Sequence, residues 1–401
     1  MDSVRRNAYY TFQYNLSFGR HGWLRLTPAY SVRMVEKILS ELEYRPECVL
    51  EPFSGTGTTE LVCANAGIAT VAYDVNPFLV WLARVKNAVY TDDVITLFHY
   101  TVCEITQKIA SFPPAPPPPM FHIERWWNKK QLDYLSRLKS AIWGVNHPQV
   151  SDLLKIAFCR QIIELSNAAF NHVSTSFRDG KDALEFSDQD GNFIFCSFCD
   201  MIMDTVRRQP RVLSSIQKQD SMFIPAEIEG KYDTIITSPP YPNRISYIRE
   251  LRPYMYWLDY ICTPEDASQL DWETIGGTWG SATSRLSTWK KQTDFLPESL
   301  LETADRISRA DHKSAGLMAN YVLKYFDDMA LHMQSAFRTI REGGTVHYIV
   351  GNSSFYGNIV PSDNIYQYML AKAGFHHEKS VVVRKRNCNK ALYEYWISAQ
   401  K

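Results

Sequence analysis

The chain has 401 residues, of which 45% are hydrophobic, so it can bury a sizeable core in one to three domains. Its 43 basic and 43 acidic side chains balance, so only a local basic face could serve nucleic-acid binding. No run of about 20 apolar residues and no apolar signal segment occurs, so neither a membrane helix nor a membrane partner is expected. Eight cysteines without a disulfide framework predict a cytoplasmic protein.

Strands and helices alternate in the first part of the chain. Apolar spacing predicts helices over residues 28–42, 61–66 and 78–88, and strands over residues 48–50 and 70–73. This β-α-β-α alternation predicts an α/β fold with a doubly wound parallel sheet.

The middle of the chain, from about residue 92 to 215, is predicted to be largely helical. The candidate helices cover residues 93–110, 130–145 and 149–170. A proline-rich run at residues 113–119 is expected to be a stiff extended spacer. Cys196 and Cys199 form one C-x-x-C pair, and with no second pair nearby we predict small buried residues and no metal site.

Sheet character returns in the last part of the chain. Strands are predicted at residues 232–237, 345–350, 380–386 and 392–397, and helices at 244–261, 317–340 and 364–373. Gly343 and Gly344 are expected to end the long helix. The pattern favours one α/β core with insertions, divided into a first half (1–92), a helical insertion (93–215) and a second half (216–401).

The segment Thr237-Ser238-Pro239-Pro240-Tyr241 follows a β-branched run. Proline has no N–H and fixes φ, so the chain must leave the sheet at this point. The turn brings together a hydroxyl, exposed carbonyls and an aromatic ring. These groups suit a flat ring with an amino group, although a plain proline turn with a core tyrosine is the alternative.

A second candidate site lies where the first strand turns into a helix. Gly55 and Gly57 let the backbone approach a ligand closely. A dinucleotide fingerprint needs a third glycine at position 60, where Glu60 stands instead and would repel a pyrophosphate. Asp74 ends the next strand, at about the offset expected of a ribose-binding carboxylate. The pair favours nucleoside binding over a generic tight turn with a capping aspartate.

These motifs resemble those of S-adenosylmethionine-dependent DNA amino-methyltransferases. Residues 51–59, EPFSGTGTT, resemble motif I, and Thr237–Tyr241 resembles motif IV. A serine-first S-P-P-Y is typical of the N4-cytosine group, whereas aspartate or asparagine first is typical of N6-adenine enzymes. Weaker similarity covers residues 21–29, Asp220-Ser221, Gly343-Gly344 and residues 351–353.

The resemblance implies a Rossmann-like methyltransferase sheet and a two-part site. Catalysis would depend on Ser238, Pro239, Pro240 and Tyr241. Cofactor binding would involve Thr27, Pro28, Glu51, Pro52, Phe53, Gly55, Gly57, Thr58, Thr59, Asp74, Asn76 and Asp220.

The function implied is methyl transfer from S-adenosylmethionine to N4 of cytosine in double-stranded DNA, with the base flipped out of the duplex. No Pro-Cys dipeptide occurs, which argues against a C5-cytosine mechanism with a cysteine nucleophile. N6-adenine methylation and an RNA substrate remain alternatives, as does a non-catalytic nucleic-acid-binding module with a vestigial pocket. A cognate restriction endonuclease acting separately is a candidate partner.

Several basic clusters are candidates for DNA contact. Arg249 and Arg252 would share a helix face near the site. Trp126 and Trp127 lie beside Arg125, Lys129 and Lys130, and another cluster is Arg384-Lys385-Arg386. A solvated helix face and core tryptophans are the alternatives. The insertion at 93–215 and a stretch near 243–310 are the candidate target-recognition regions.

Overall fold

The computed structural model describes residues 7–26, 29–169, 176–177, 186–243, 246–277, 281–386 and 391–401. The strands are β1 (Cys48–Glu51), β2 (Ala69–Asp74), β3 (Ala168–Ala169), β4 (Ser176–Phe177), β5 (Ser215–Lys218), β6 (Tyr232–Thr237), β7 (Ile340–Gly351), β8 (Ser353–Phe355), β9 (Asn358–Val360), β10 (His376–Lys385) and β11 (Tyr393–Gln400).

The first seven helices are α1 (Phe12–Asn15), α2 (Val32–Glu41), α3 (Thr58–Ala66), α4 (Pro77–Asn87), α5 (Asp92–Lys108), α6 (Lys129–Trp143) and α7 (Pro148–Glu164). The remaining helices are α8 (Asp188–Val206), α9 (Tyr247–Trp257), α10 (Pro264–Glu273), α11 (Ser281–Leu286), α12 (Glu298–Ser308), α13 (Ala315–Thr339) and α14 (Ser362–Ala373).

The main sheet has seven strands in the order β10-β11-β7-β6-β1-β2-β5. The five strands from β7 to β5 are mutually parallel, and β11 runs antiparallel between β7 and β10. The fold is therefore the predicted doubly wound, Rossmann-like α/β sheet, closed at one edge by an antiparallel hairpin.

Successive residues of the central strands face opposite sides of the sheet. Val49 and Ile236 pack with the apolar side chains of α2 and α3, whereas Leu50 and Ile235 pack with those of α13 and α14. Because both faces of the sheet are buried, consecutive residues of these strands are apolar, Val49 and Leu50 in β1 and Ile235 and Ile236 in β6, and these runs revealed the strands in the sequence.

The helices α5 to α8 form the predicted helical insertion. Their apolar side chains share one cluster with α4, α9 and α10. The buried Arg20 guanidinium adds a polar connection, donating to the carbonyl oxygens of Val206 at 2.6 Å and Ala88 at 2.5 Å. In the described residues, α5 to α8 therefore share one apolar core with α4, α9 and α10.

Some of the sequence predictions were wrong in detail. No strand was predicted at β5, because Ile216 is its one buried residue and an edge strand of this kind has no apolar run. The long helix ends at Thr339 and not at the glycines, which lie inside β7. A side chain at Gly344 would collide with the carbonyl oxygen of Asp233 on β6, so this glycine permits close strand approach.

The candidate helix over 149–170 also ends earlier, at Glu164, and its last predicted residue lies outside the described ranges. Among the described helices, none has both the length and the apolar content to cross a membrane.

Candidate functional site

The site lies where the direction of strand succession reverses. From β1 the chain proceeds to β2 and β5 on one side of the sheet, whereas β6 is followed by β7 on the other side. Such a reversal leaves a crevice at the carboxyl ends of the two central strands. A cavity of about 520 Å³ occupies this position, and segments following β1, β2, β5 and β6 all line it.

The loop after β1 depends on two glycines in the left-handed region. Gly55 has φ of +52° and Gly57 has φ of +73°. A Cβ on Gly57 would lie 3.0 Å from the Cα of Ala83, so this glycine also permits α3 to pack closely against α4. The loop is held to β2 by the Ser54 amide, which donates to the Tyr73 carbonyl at 2.8 Å.

Glu51 joins the two halves of the site from behind the cavity. Its carboxylate is fully buried and accepts from the Phe53 amide at 2.9 Å and from the Thr59 hydroxyl at 2.6 Å. It also accepts from the hydroxyl of Thr237, the last residue of β6. One side chain thus fixes the glycine loop, α3 and the start of the proline turn relative to each other.

Beneath the loop lies a second buried carboxylate, Glu60. It accepts from the Ser54 hydroxyl, while the buried Lys86 ammonium donates to the Thr56 carbonyl at 2.7 Å. Burial raises the pKa of Glu60 and lowers the pKa of Lys86 to about 8. Glu60 therefore supports the loop from below and does not line the cavity, where the sequence had suggested that it would repel a phosphate.

Asp74 lines the cavity opposite the glycine loop. Its two carboxylate oxygens accept from the Gly55 amide at 2.9 Å and the Asn76 amide at 2.8 Å. Burial raises the pKa of this carboxyl to about 6. The Val75 backbone also hydrogen-bonds this carboxylate. An ionised carboxylate has about four acceptor positions, so these amides do not use all of them and one remains for a ribose hydroxyl.

Two further predicted residues lie at the same edge of the sheet. The Asn76 side chain caps α4 by accepting from the Phe78 amide at 3.0 Å. Asp220 follows β5 and accepts from the Met222 amide at 2.9 Å. Both line the cavity, but each side chain already has a structural hydrogen bond.

Hydrogen bonds to distant segments of the chain hold the proline turn after β6 in place. The Ser238 hydroxyl donates to the Ile349 carbonyl at 3.0 Å, which leaves the lone pairs of its oxygen as acceptors. The Pro240 carbonyl accepts from the Tyr325 hydroxyl at 2.7 Å. Tyr241 donates its phenolic proton to Glu394 at 2.7 Å.

The structure brings most of the predicted site residues together around the cavity, and three of them lie behind it. Those that line the cavity are Pro52, Phe53, Gly55, Thr58, Asp74, Asn76, Asp220, Ser238, Pro239, Pro240 and Tyr241. Glu51, Gly57 and Thr59 support the loop without lining the cavity. Thr27 and Pro28 lie outside the described residues.

Sequence reasoning missed other lining residues because they come from distant segments. Tyr10 and Phe12 from the amino-terminal segment and Glu394 from the last strand line the cavity. Arg384 and Arg386 were noted only as basic residues, but they too line it. No local motif identifies residues that the fold gathers from opposite ends of the chain.

The tryptophan cluster is a core feature. Trp126 and Trp127 are buried, and the Trp127 indole donates to the Ile162 carbonyl at 2.8 Å. The Arg252 guanidinium carbon lies 5.6 Å from the centre of the Trp126 ring, so this arginine packs on the core. The core alternative that the sequence left open is therefore correct for both tryptophans.

Comparison with known proteins supports a methyltransferase. No protein-family model matches the chain. The chain is 24% identical to the Type II methyltransferase M.AvaI of Nostoc sp. and of Anabaena variabilis, over 93% of this chain and 82% of the relative. It is 21% identical to the Type II methyltransferase M.BsoBI of Geobacillus stearothermophilus, over 94% of this chain and 83% of the relative. The similarity thus extends far beyond the two motifs.

Proposed function

We propose that the chain is a site-specific DNA methyltransferase that transfers a methyl group from S-adenosylmethionine to N4 of cytosine in duplex DNA. One observation carries the proposal. The glycine loop with Asp74 and the Ser238–Tyr241 turn open onto a single cavity at the reversal of the sheet. If the first half binds a nucleoside and the second an amino group, the two groups would be adjacent, as a group transfer between them requires.

The residues of the first half fit an adenosine-containing cofactor. The loop from Pro52 to Gly55 offers close backbone approach, and the Asp74 carboxylate, held by backbone amides, keeps an acceptor position for a ribose hydroxyl. When bound, S-adenosylmethionine supplies an activated methyl group. The glycine loop and Asp74 would hold and orient its nucleoside part.

The residues of the second half suit an exocyclic amino group. The lone pair of this nitrogen is delocalised into the ring, so it is a poor nucleophile. The Ser238 hydroxyl, whose proton is donated to Ile349, would accept from the amino group together with the Pro239 carbonyl. Hydrogen bonding from the amino protons favours a geometry in which the lone pair is free to react.

Tyr241 would stack on the target base after the base has left the duplex, since its amino nitrogen cannot reach the cavity from within the helix. Burial and the Glu394 carboxylate raise the pKa of Tyr241 well above its ordinary value. The phenol therefore stays protonated, which suits a stacking surface and not a general base.

Cytosine is proposed over adenine because a serine begins the S-P-P-Y motif. Both bases present an amino group in similar geometry, so adenine N6 is the alternative product. The proposed partner is double-stranded DNA, read by the insertion at 93–215 and the stretch near 243–310. A restriction endonuclease of the same specificity, acting separately in the cytoplasm, would complete a restriction-modification pair.

The proposal is tested by transfer of labelled methyl groups from S-adenosylmethionine to unmethylated duplex DNA. We expect wild-type protein to label the DNA, and Ser238→Ala to abolish labelling while the Kd for the cofactor changes less than about twofold. Ser40→Ala, an exposed serine at the end of α2, serves as the matched control with normal activity.

Cofactor binding without transfer to any DNA by wild-type protein would favour the nucleic-acid-binding module. Equal loss of transfer and cofactor affinity in Ser238→Ala would assign this serine a structural role. Labelling of RNA in place of DNA would contradict the proposed substrate.

A further inference from the structure

Tyr241 is held by residues from the last hairpin of the sheet, more than 140 positions along the chain. Its hydroxyl donates to Glu394 at 2.7 Å. The guanidinium carbon of Arg386 lies 4.9 Å from the centre of its ring. One face and the polar edge of the ring are thus in contact with charged side chains that line the cavity.

Glu394 is itself held in place. Its side chain is buried, and Arg384, its cross-strand neighbour on β10, donates to both carboxylate oxygens at 2.7 Å and 3.1 Å. A two-point pair of this kind fixes the plane of the carboxylate. The acceptor of the tyrosine hydrogen bond therefore has a defined position.

The last residue of β7, Gly351, makes room for this arrangement. A Cβ there would lie 2.9 Å from Cδ2 of Tyr241 and closer still to Arg386 Nη1. Arg386 Nη1 also donates to the Asn352 carbonyl at 2.7 Å, which anchors the guanidinium. The φ angle of Gly351 is not in the left-handed region, so the backbone conformation does not require glycine here. Glycine is required because a Cβ atom has no room.

We infer that Arg386, Glu394 and Arg384 are positioning residues that lock the ring plane of Tyr241, so that the target base stacks on the ring face that Arg386 does not cover. This inference rests on the proposed function. It assigns the last hairpin a part in the reaction that neither motif contains. An anchored guanidinium and a directed hydrogen bond restrict rotation of the phenol ring, and a base that stacks on a fixed ring presents its amino group at a fixed angle.

The test uses two substitutions that largely preserve side-chain shape. Tyr241→Phe deletes the hydrogen bond to Glu394. Arg386→Met deletes the charge over the ring together with the anchoring hydrogen bond to the Asn352 carbonyl. We expect each to lower kcat for DNA methylation by about tenfold, the order of one charge-assisted hydrogen bond or cation–π contact. The Kd for S-adenosylmethionine and the Tm should stay near wild-type values.

Lys379→Met is the matched control. Lys379 is an exposed cation on the same strand, β10, and does not line the cavity, so its loss should leave kcat unchanged. All four proteins are assayed with the same unmethylated genomic DNA and labelled cofactor.

Each other outcome counts against the inference. Unchanged kcat in both variants would show that the ring needs no support. A parallel fall in kcat, cofactor affinity and Tm would assign these residues a structural role. A rise in kcat for Arg386→Met would show that the guanidinium occupies the face needed by the base. Wild-type protein without transfer would instead refute the proposed function, before any variant is compared.

Discussion

At the residue scale, Asp74 should give cofactor binding a characteristic pH dependence. Its carboxyl has a pKa raised to about 6 by burial, compared with 3.8 in an exposed aspartate. In the proposed contact, the ionised carboxylate would accept a hydrogen bond from the ribose, and protonation would weaken it as an acceptor. Affinity for S-adenosylmethionine should therefore be constant above about pH 7 and fall as the pH drops through 6.

Isothermal titration calorimetry of S-adenosylmethionine binding between pH 5 and 8 measures how the affinity depends on pH. In Asp74→Asn the cofactor should bind at least about tenfold more weakly at pH 7.5, and the decline centred near pH 6 should disappear. If the same decline persists in the variant, Asp74 is not the group responsible, and its proposed contact with the ribose is wrong.

Gly55 and Gly57 offer a matched pair of substitutions. Alanine at either position costs roughly 1–2 kcal/mol of stability, because both residues have left-handed backbone angles. A Cβ on Gly57 would also press on the Ala83 backbone at 3.0 Å, whereas the nearest contact at Gly55 is 3.7 Å. We expect Gly57→Ala to lose roughly 1–3 kcal/mol more than Gly55→Ala in urea unfolding. Equal losses would contradict the close packing of α3 on α4.

At the element scale, the strands and helices that the sequence predicted are those whose apolar residues follow a local pattern along the chain. The central strands β1 and β6 contain consecutive apolar residues because both faces are buried, and the helices α5 and α6 show a regular apolar spacing. The edge strand β5 buries one residue and left no such signal. The cavity residues after β1, β2 and β6 were accessible to sequence reasoning because strand ends carry the motifs, but Arg386 and Glu394 became part of the site only through pairing of β11 with β7.

The tryptophans at the start of α6 give a prediction for the helical insertion. Trp127→Phe leaves the Ile162 carbonyl, now 2.8 Å from the indole nitrogen, without its donor, so unfolding free energy should fall by about 1–3 kcal/mol. The slope of log K for DNA binding against log salt should not change, because a buried ring releases no counterions. Trp143→Phe, at an exposed site at the end of α6, should cost under about 0.5 kcal/mol. If Trp127→Phe reduces the slope of log K for DNA binding against log salt, Trp127 contacts DNA and its assignment to the core is wrong.

At the scale of the whole molecule, the insertion and the sheet should unfold together. The apolar cluster of α5 to α8 includes side chains of α4, which packs on the sheet, and of α9, which follows the proline turn. We expect one calorimetric unfolding transition, and S-adenosylmethionine should raise its midpoint temperature without splitting it. At a cofactor concentration about one hundred times Kd, the stabilisation should be about 2.7 kcal/mol. If two unfolding transitions occur and the cofactor raises the midpoint of only one of them, the insertion is an independent domain.

The molecule carries no net charge, so DNA affinity must come from particular surfaces and not from the whole protein. The proposed reaction nevertheless depends on one place, the cavity shared by the glycine loop and the Ser238–Tyr241 turn.

Mass analysis of nucleosides tests this claim most directly. Duplex DNA from a host without methylation is incubated with the protein and S-adenosylmethionine, then digested to nucleosides. The account predicts N4-methylcytosine with wild-type protein and none with Ser238→Ala. N6-methyladenine as the product would contradict the choice of base, and C5-methylcytosine, or no methylated nucleoside at all, would contradict the proposed chemistry of the site.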